Sequence, residues 1–374
     1  MSETDEIDEI NDRILVPAGN GQARKTMIGV LTSRDEEDPG GRNKNTALVA
    51  LFNQFYSDLT VRDRLRRFAF VFTGGTYDRV ILGSARDSDV MPVDPCTKDW
   101  LEEECGVIRL PTGQEGGVTI LGYLVAQHVV SILWIFLSSL TMHWLRPENL
   151  ALLRLCDHLH AKTLLNSGSV EEWIATEAGR DANRNQRNWP LGGIRLEGSE
   201  IDIPIRQVGT QYYKMQTPQE MCANLEFPDL SDAQSRSEAI IALVAHDDMK
   251  PKMADFASDY EEELLHFGRI ITTGTTGKLV GDSALQLGRH HKQNGGDYVF
   301  RYRSGPKGGD IEIATEVLYG NCHVVIFFVD PLHPHPHIDD IRVVFSACMR
   351  QDKVRMLSHE IQAREWMDRV VRGM

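Results

Sequence analysis

The sequence predicts an α/β protein of two tandem domains, each built on an open, mainly parallel sheet. Three observations lead there. Short apolar strands alternate with helical patterns along most of the chain, the signature of parallel strands joined by crossover helices. The chain has 374 residues, against about 100 to 200 for an ordinary domain. One pattern also occurs twice. RLPTGQEGGVTI (Arg109 to Ile120) falls on RYRSGPKGGDIE (Arg301 to Glu312), and WIFLSSL (Trp134 to Leu140) falls on IFFVDPL (Ile326 to Leu332). Both pairs are 192 residues apart, as are Cys156 and Cys348. Upstream, IGVLTSRDE (Ile28 to Glu36) matches IALVAHDDM (Ile241 to Met249), and FTGGTYDRVI (Phe72 to Ile81) matches TTGTTGKLVG (Thr272 to Gly281). Self-similarity at a fixed spacing signals repeated architecture.

The elements follow in chain order. Residues 1–24 form an acidic tail, expected to be disordered. Its start, MSETDEIDEINDR, lacks the basic and apolar regions of a signal peptide. Residues 25–178 make the first unit. Within it, Val118 to Met142 contains no Asp, Glu, Lys or Arg and is long enough to span a bilayer. The counterpart of that stretch, DIEIATEVLYGNCHVVIFFVDPLHP, is too polar to do so. Both are therefore read as a helix, a turn and a buried parallel strand. Residues 179–236 connect the units, and Ile194 to Gln207 alternates like a small hairpin. The second unit is 237–374.

Composition narrows the function. Hydrophobic residues make up 41% of the chain, enough for ordinary cores. A formal net charge of -14 argues against nucleic acid or an anionic membrane as partner. A phosphate-bearing ligand would need local cations and N–H groups to overcome that field. None of the six cysteines forms a CxxC pair. Free thiols and a cytoplasmic location are expected.

Sheets of this Rossmann or flavodoxin type bind ligands beyond the carboxyl ends of their strands, and four loops of the second unit lie there. AHDDMK (Ala245 to Lys250) offers His246, Asp247 and Lys250, or simply a helix cap. TTGTTGKL (Thr272 to Leu279) suits a phosphate at a helix start, and suits a glycine turn with a threonine cap equally. RSGPKGGD (Arg303 to Asp310) is a tight glycine turn, with Asp310 placed as either a helix cap or a base. DPLHPHPHIDD (Asp330 to Asp340) holds His333, His335 and His337 on a proline-stiffened loop. Alternate histidines raise the idea of a metal, but no further Cys or His cluster completes a site.

Taken in order, HDxxK, TGTTG, SGPxGGD and DPL…PHxxD resemble methylglyoxal synthase over about 130 residues. The resemblance implies a lyase that converts dihydroxyacetone phosphate to methylglyoxal and inorganic phosphate, with no metal and no organic cofactor. It implies that Asp310 is the catalytic base. It assigns substrate binding to His246, Lys250, Thr273, Gly274, Thr275, Thr276, Ser304, Gly305 and His337. His337, Asp340 and Asp247 are its further catalytic positions. The family forms closed homo-oligomers and places an arginine near the phosphate from a C-terminal segment, for which Arg364, Arg369 and Arg372 are the local candidates. A related fold serves as an allosteric ligand-binding domain in carbamoyl phosphate synthetase, so a non-catalytic phospholigand-binding regulator is the alternative. In the first unit Val118 stands where Asp310 does and Leu145 where His337 does. That copy is expected to be inactive, its glycine loop at Gly74, Gly75, Thr76, Thr112 and Gly113 either holding an anion or keeping the fold.

Overall fold

A computed structural model describes residues 15–17, 23–32, 44–83, 91–137, 146–183, 185–196, 202–284, 287, 297–329, 338–351 and 353–373. The chain divides into two compact units, residues 1–217 and 218–374, and each is an α/β unit with a largely parallel open sheet.

The first unit strings ten strands together. They are β1 (Leu15–Pro17), β2 (Ala23–Thr32), β3 (Phe68–Phe72), β4 (Val107–Arg109), β5 (Val130–Phe136), β6 (Lys162–Leu164), β7 (Arg187–Trp189), β8 (Leu191–Arg195), β9 (Asp202–Gln207) and β10 (Tyr212–Met215). The parallel part runs β10-β4-β3-β2-β5-β6, and the remaining strands add antiparallel pairs. Two expectations change here. Part of the acidic tail is ordered, because Leu15–Pro17 pairs with β8. The stretch read as a connector supplies β7 to β10, and β10 extends the parallel sheet beside β4. Its hairpin is present, with Ile194 opposite Ile203. Aromatic residues fill the core, Phe52 packing with Phe70, Phe72 and Trp134.

The charge-free stretch resolves as the helix Gly117–Ala126 followed by β5. Among the described residues no helix is long and apolar enough to cross a membrane. All ten residues of Gly117–Ala126 are buried. Its neighbours include the helix Pro147–His158 and the Arg195 carbonyl, which accepts from the Tyr123 hydroxyl at 3.4 Å.

The second unit carries β11 (Ile240–Ala245), β12 (Arg269–Thr272), β13 (Val299–Arg301), β14 (Val324–Phe328) and β15 (Arg355–Leu357). All four pairings are parallel, in the order β13-β12-β11-β14-β15. Every residue of β14, VVIFF, is buried, as a strand covered on both faces requires. One sheet face packs Ile241, Leu243, Ile270, Ile326 and Phe328 against Met253, Phe256 and Trp366. The helix Gly309–Leu318 lies beside β12 and the helix Ile338–Arg350.

Strand order fixes where a site can form. From β11 the sheet grows outward in both directions, to β12 and to β14, so the loops that leave these strands diverge and open a crevice at their carboxyl ends.

Candidate active site

The β11 loop begins at His246, whose N–H donates to the Phe328 carbonyl at 3.1 Å and so ties the ends of β11 and β14 together. A turn follows, and then the helix Lys250–Asp259, with Pro251 in its first turn. Proline fits there because the first helical N–H groups have no partner inside the helix. Lys250 is ion-paired with Asp247. The two side chains differ sharply in exposure, 17% for Lys250 and 86% for Asp247. Lys250 thus faces the protein, while Asp247 meets solvent.

The β12 loop opens the helix Gly274–Ser283, with Thr273 as its cap residue. Thr273 and Thr276 are buried, and their hydroxyls are 3.1 Å apart. Thr276 also donates to the Ala245 carbonyl at 3.5 Å, joining this loop to β11. Gly274 donates to the Arg303 carbonyl at 3.0 Å. A Cβ on Gly274 would sit 3.1 Å from the Ser304 nitrogen, so glycine lets the β12 and β13 loops touch. Two helix N-termini thereby face the same end of the sheet, where their dipoles favour an anion.

The β13 loop turns at Ser304 into Gly305–Lys307, and Gly308 takes φ +102°, a left-handed conformation that favours glycine. Helix Gly309–Leu318 starts there and carries Asp310 as its second residue. Asp310 is buried. A Cβ added to Gly305 would lie 2.5 Å from Asp310 Oδ2. The carboxylate therefore lies directly against the Ser304–Gly305 turn. Contacts thus run from Gly274 to Ser304 and from Gly305 to Asp310, with His246 and Lys250 on the β11 loop, which Thr276 ties to the β12 loop.

Asp330, His333, His335 and His337 lie outside the described residues. Asp340 falls in the helix Ile338–Arg350, its side chain outside that description. Two of the proposed C-terminal arginines are committed elsewhere. Arg364 pairs with Asp259 at 2.8 Å, and Arg372 with Glu263 at 2.5 Å. Asp259 ends the helix that Lys250 begins, so both arginines sit at the opposite end of the sheet from the crevice.

Two glutamates of this region are not among the sequence candidates. Glu312, fully buried, accepts the Arg303 N–H at 3.1 Å and is ion-paired with the Arg303 side chain. Glu316, also buried, accepts from the Tyr302 hydroxyl at 2.6 Å and from the Asn321 side chain. The signal available for them was the repeat itself, since Ile120 and Leu124 stand at the matching positions.

The first unit builds the same turn 192 residues earlier. Gly116 takes φ +93°, Gly117–Ala126 is helical from its first residue, and Gly74 donates to the Pro111 carbonyl at 2.9 Å. Its chemistry differs. Glu115 accepts from both the N–H and the hydroxyl of Thr112 at 2.8 Å, so an internal carboxylate takes donors that Ser304 could offer a ligand in the second unit.

No family model matches the chain. Methylglyoxal synthases of Brucella anthropi and Brucella ovis are each 40% identical to it over 104 residues, which is 28% of this chain and 74% of theirs. A solved methylglyoxal synthase from Elizabethkingia anophelis NUHP1 is 30% identical, covering 34% of this chain and 76% of that one, at a TM-score of 0.28. With the sequence match spanning nearly three quarters of the Brucella enzymes, the chain belongs to the methylglyoxal synthase family.

Proposed function

We propose that the second unit converts dihydroxyacetone phosphate to methylglyoxal and inorganic phosphate. The observation that carries this reading is Asp310, a buried carboxylate against the Ser304–Gly305 turn, whose loop touches the threonine–glycine helix start at Gly274. A carboxylate so placed removes a proton from the hydroxymethyl carbon of the substrate, and the electron pair passes to the carbonyl oxygen as an enediolate. His246, together with His337, donates to that oxygen. The hydroxyl on the deprotonated carbon then gives its proton to the departing phosphate, its oxygen forms the aldehyde C=O, the double bond shifts to the far carbon, and the C–O bond to phosphate breaks with phosphate taking the pair. The enolate product takes up a proton on the far carbon, for which Asp340 is the shuttle in this reading, and becomes methylglyoxal. Lys250, the Thr273–Thr276 loop and the Ser304–Gly305 turn hold the phosphate charge as it grows. Asp247, ion-paired with Lys250, orients that cation.

The first unit is, in this reading, a degenerate copy with a structural role. Val118 cannot take a proton, and Glu115 already uses the Thr112 donors. The family resemblance further suggests a closed homo-oligomer, three chains giving six units and three active sites, which light scattering measures directly.

The test of the activity is to incubate the purified full chain with dihydroxyacetone phosphate and follow methylglyoxal and phosphate together. Equal amounts of both are expected, and Asp310→Asn should lower turnover by about two to three orders of magnitude with the fold intact. Phosphate binding without turnover would instead favour a non-catalytic regulatory role.

A further inference from the structure

Buried charge is costly, and a buried ion pair often contributes no net stability over well-packed apolar residues of similar size. The second unit nevertheless holds Glu312 with no exposed surface and pairs it with Arg303. Arg303 makes three connections. Its N–H donates to Glu312 at 3.1 Å, its side chain pairs with the same carboxylate, and its carbonyl accepts from Gly274 at 3.0 Å. The next residue is Ser304, whose carbonyl accepts from Gly309 at 3.2 Å. Glu312 therefore fastens the strand end leading into the Ser304–Gly305 turn to the helix that carries Asp310, and through Arg303 to the β12 loop.

The first unit supplies the comparison. There, Pro111 replaces Arg303 and Ile120 replaces Glu312. Proline has no N–H and isoleucine no acceptor, so both halves of the clamp are gone. The backbone path persists all the same. Gly74 still donates to the Pro111 carbonyl at 2.9 Å, Gly117 to the Thr112 carbonyl at 2.8 Å, and the left-handed glycine recurs at Gly116. One turn further on, the hydrogen bond from Tyr302 to Glu316 is matched by Leu110 and Leu124. The turn thus forms without ionic fastening where Val118 stands, and carries that fastening where Asp310 stands.

We infer that Glu312, acting through Arg303, is a positioning residue that holds the Ser304–Gly305 turn in register with Asp310. The inference rests on the reading of Asp310 as the base. The difference between a formed turn and a correctly placed one is small, and a misplacement of about 1 Å in a reacting assembly costs about 100-fold in rate.

Two variants of the full chain test it beside Asp310→Asn. Glu312→Gln keeps an oxygen for the Arg303 N–H but turns the ion pair into an amide contact. Its kcat should fall about 10-fold, with KM for dihydroxyacetone phosphate and Tm nearly unchanged, an intermediate point on the scale of that 100-fold misplacement cost. The double substitution Arg303→Pro with Glu312→Ile installs the first unit's pair. It should fold with a Tm close to the parent and lose about 100-fold in kcat. If both variants keep kcat within about threefold of the parent while Asp310→Asn is inactive, the positioning role is wrong and the base assignment stands. If the double variant fails to fold, the clamp is structural and the inference is likewise overturned. If Asp310→Asn itself turns over normally, the underlying reading fails instead.

Discussion

Replacing Gly305 by alanine perturbs the site at a single point. A Cβ there would lie 2.5 Å from Asp310 Oδ2 and 3.3 Å from its Cγ, whereas ordinary van der Waals contact begins near 3.4 Å. Gly305 does not have a positive φ, so the backbone itself accepts alanine. The clash must therefore be relieved by moving the carboxylate or the turn by about 1 Å, and a shift of that size in a general base costs about 100-fold in turnover. The companion change, Gly113→Ala, occupies the equivalent position in the first unit. There the nearest atom is Arg146 Nη1 at 3.8 Å, an ordinary contact, so activity and Tm should both hold. The assay is the initial rate of methylglyoxal and phosphate release at saturating substrate, with circular dichroism to confirm the fold. A Gly305→Ala protein within a few-fold of the parent would show that the Asp310 carboxylate is not the reacting group in this geometry.

Lys250→Ala should weaken competitive inhibition by inorganic phosphate about 10-fold or more, since a charge-assisted hydrogen bond contributes about 1.5–3 kcal/mol. Unaltered inhibition would remove Lys250 from the phosphate site. Stability should also depend on pH through His323. Burial lowers its pKa from 6.5 to about 4, and its Nδ1 accepts the Ile240 N–H at 2.9 Å. The folded state prefers the neutral ring, so this contribution is complete above pH 6.5 and declines as pH falls toward 4. At most it amounts to about 3 kcal/mol. Urea unfolding of the parent and of His323→Gln between pH 7.5 and 4 should show a steeper loss in the parent, and parallel curves would refute it.

Much of the crevice was legible because each of its loops combines a strand end with residues that have few other uses there. Gly308 and Gly274 follow from turn geometry and close approach, which local sequence reports well. Strand order is less local. Nothing in the periodicity of Tyr212–Met215 says that it pairs with β4, since such pairing depends on surfaces brought together only on folding. The Arg303–Glu312 clamp was hidden for a different reason. A glutamate within a helix reads as a solvated face, and only full burial of Gly309–Leu318 makes it an internal ligand. The C-terminal arginines misled in the converse way, because Asp259 and Glu263 supply nearby partners that chain position does not reveal.

The paired left-handed glycines bear on how a loop's ancestry is read. Gly116 and Gly308 hold nearly the same φ, yet one helix continues into a valine and the other into an aspartate. Such a glycine is therefore demanded by the geometry of the helix start, whichever residue follows it. A single substitution at the residue after the turn changes what the loop can do chemically and leaves the helix start as it was. In this chain the glycines mark the turn that both units share, and the residues two positions later, Val118 and Asp310, mark where the two units differ in chemistry.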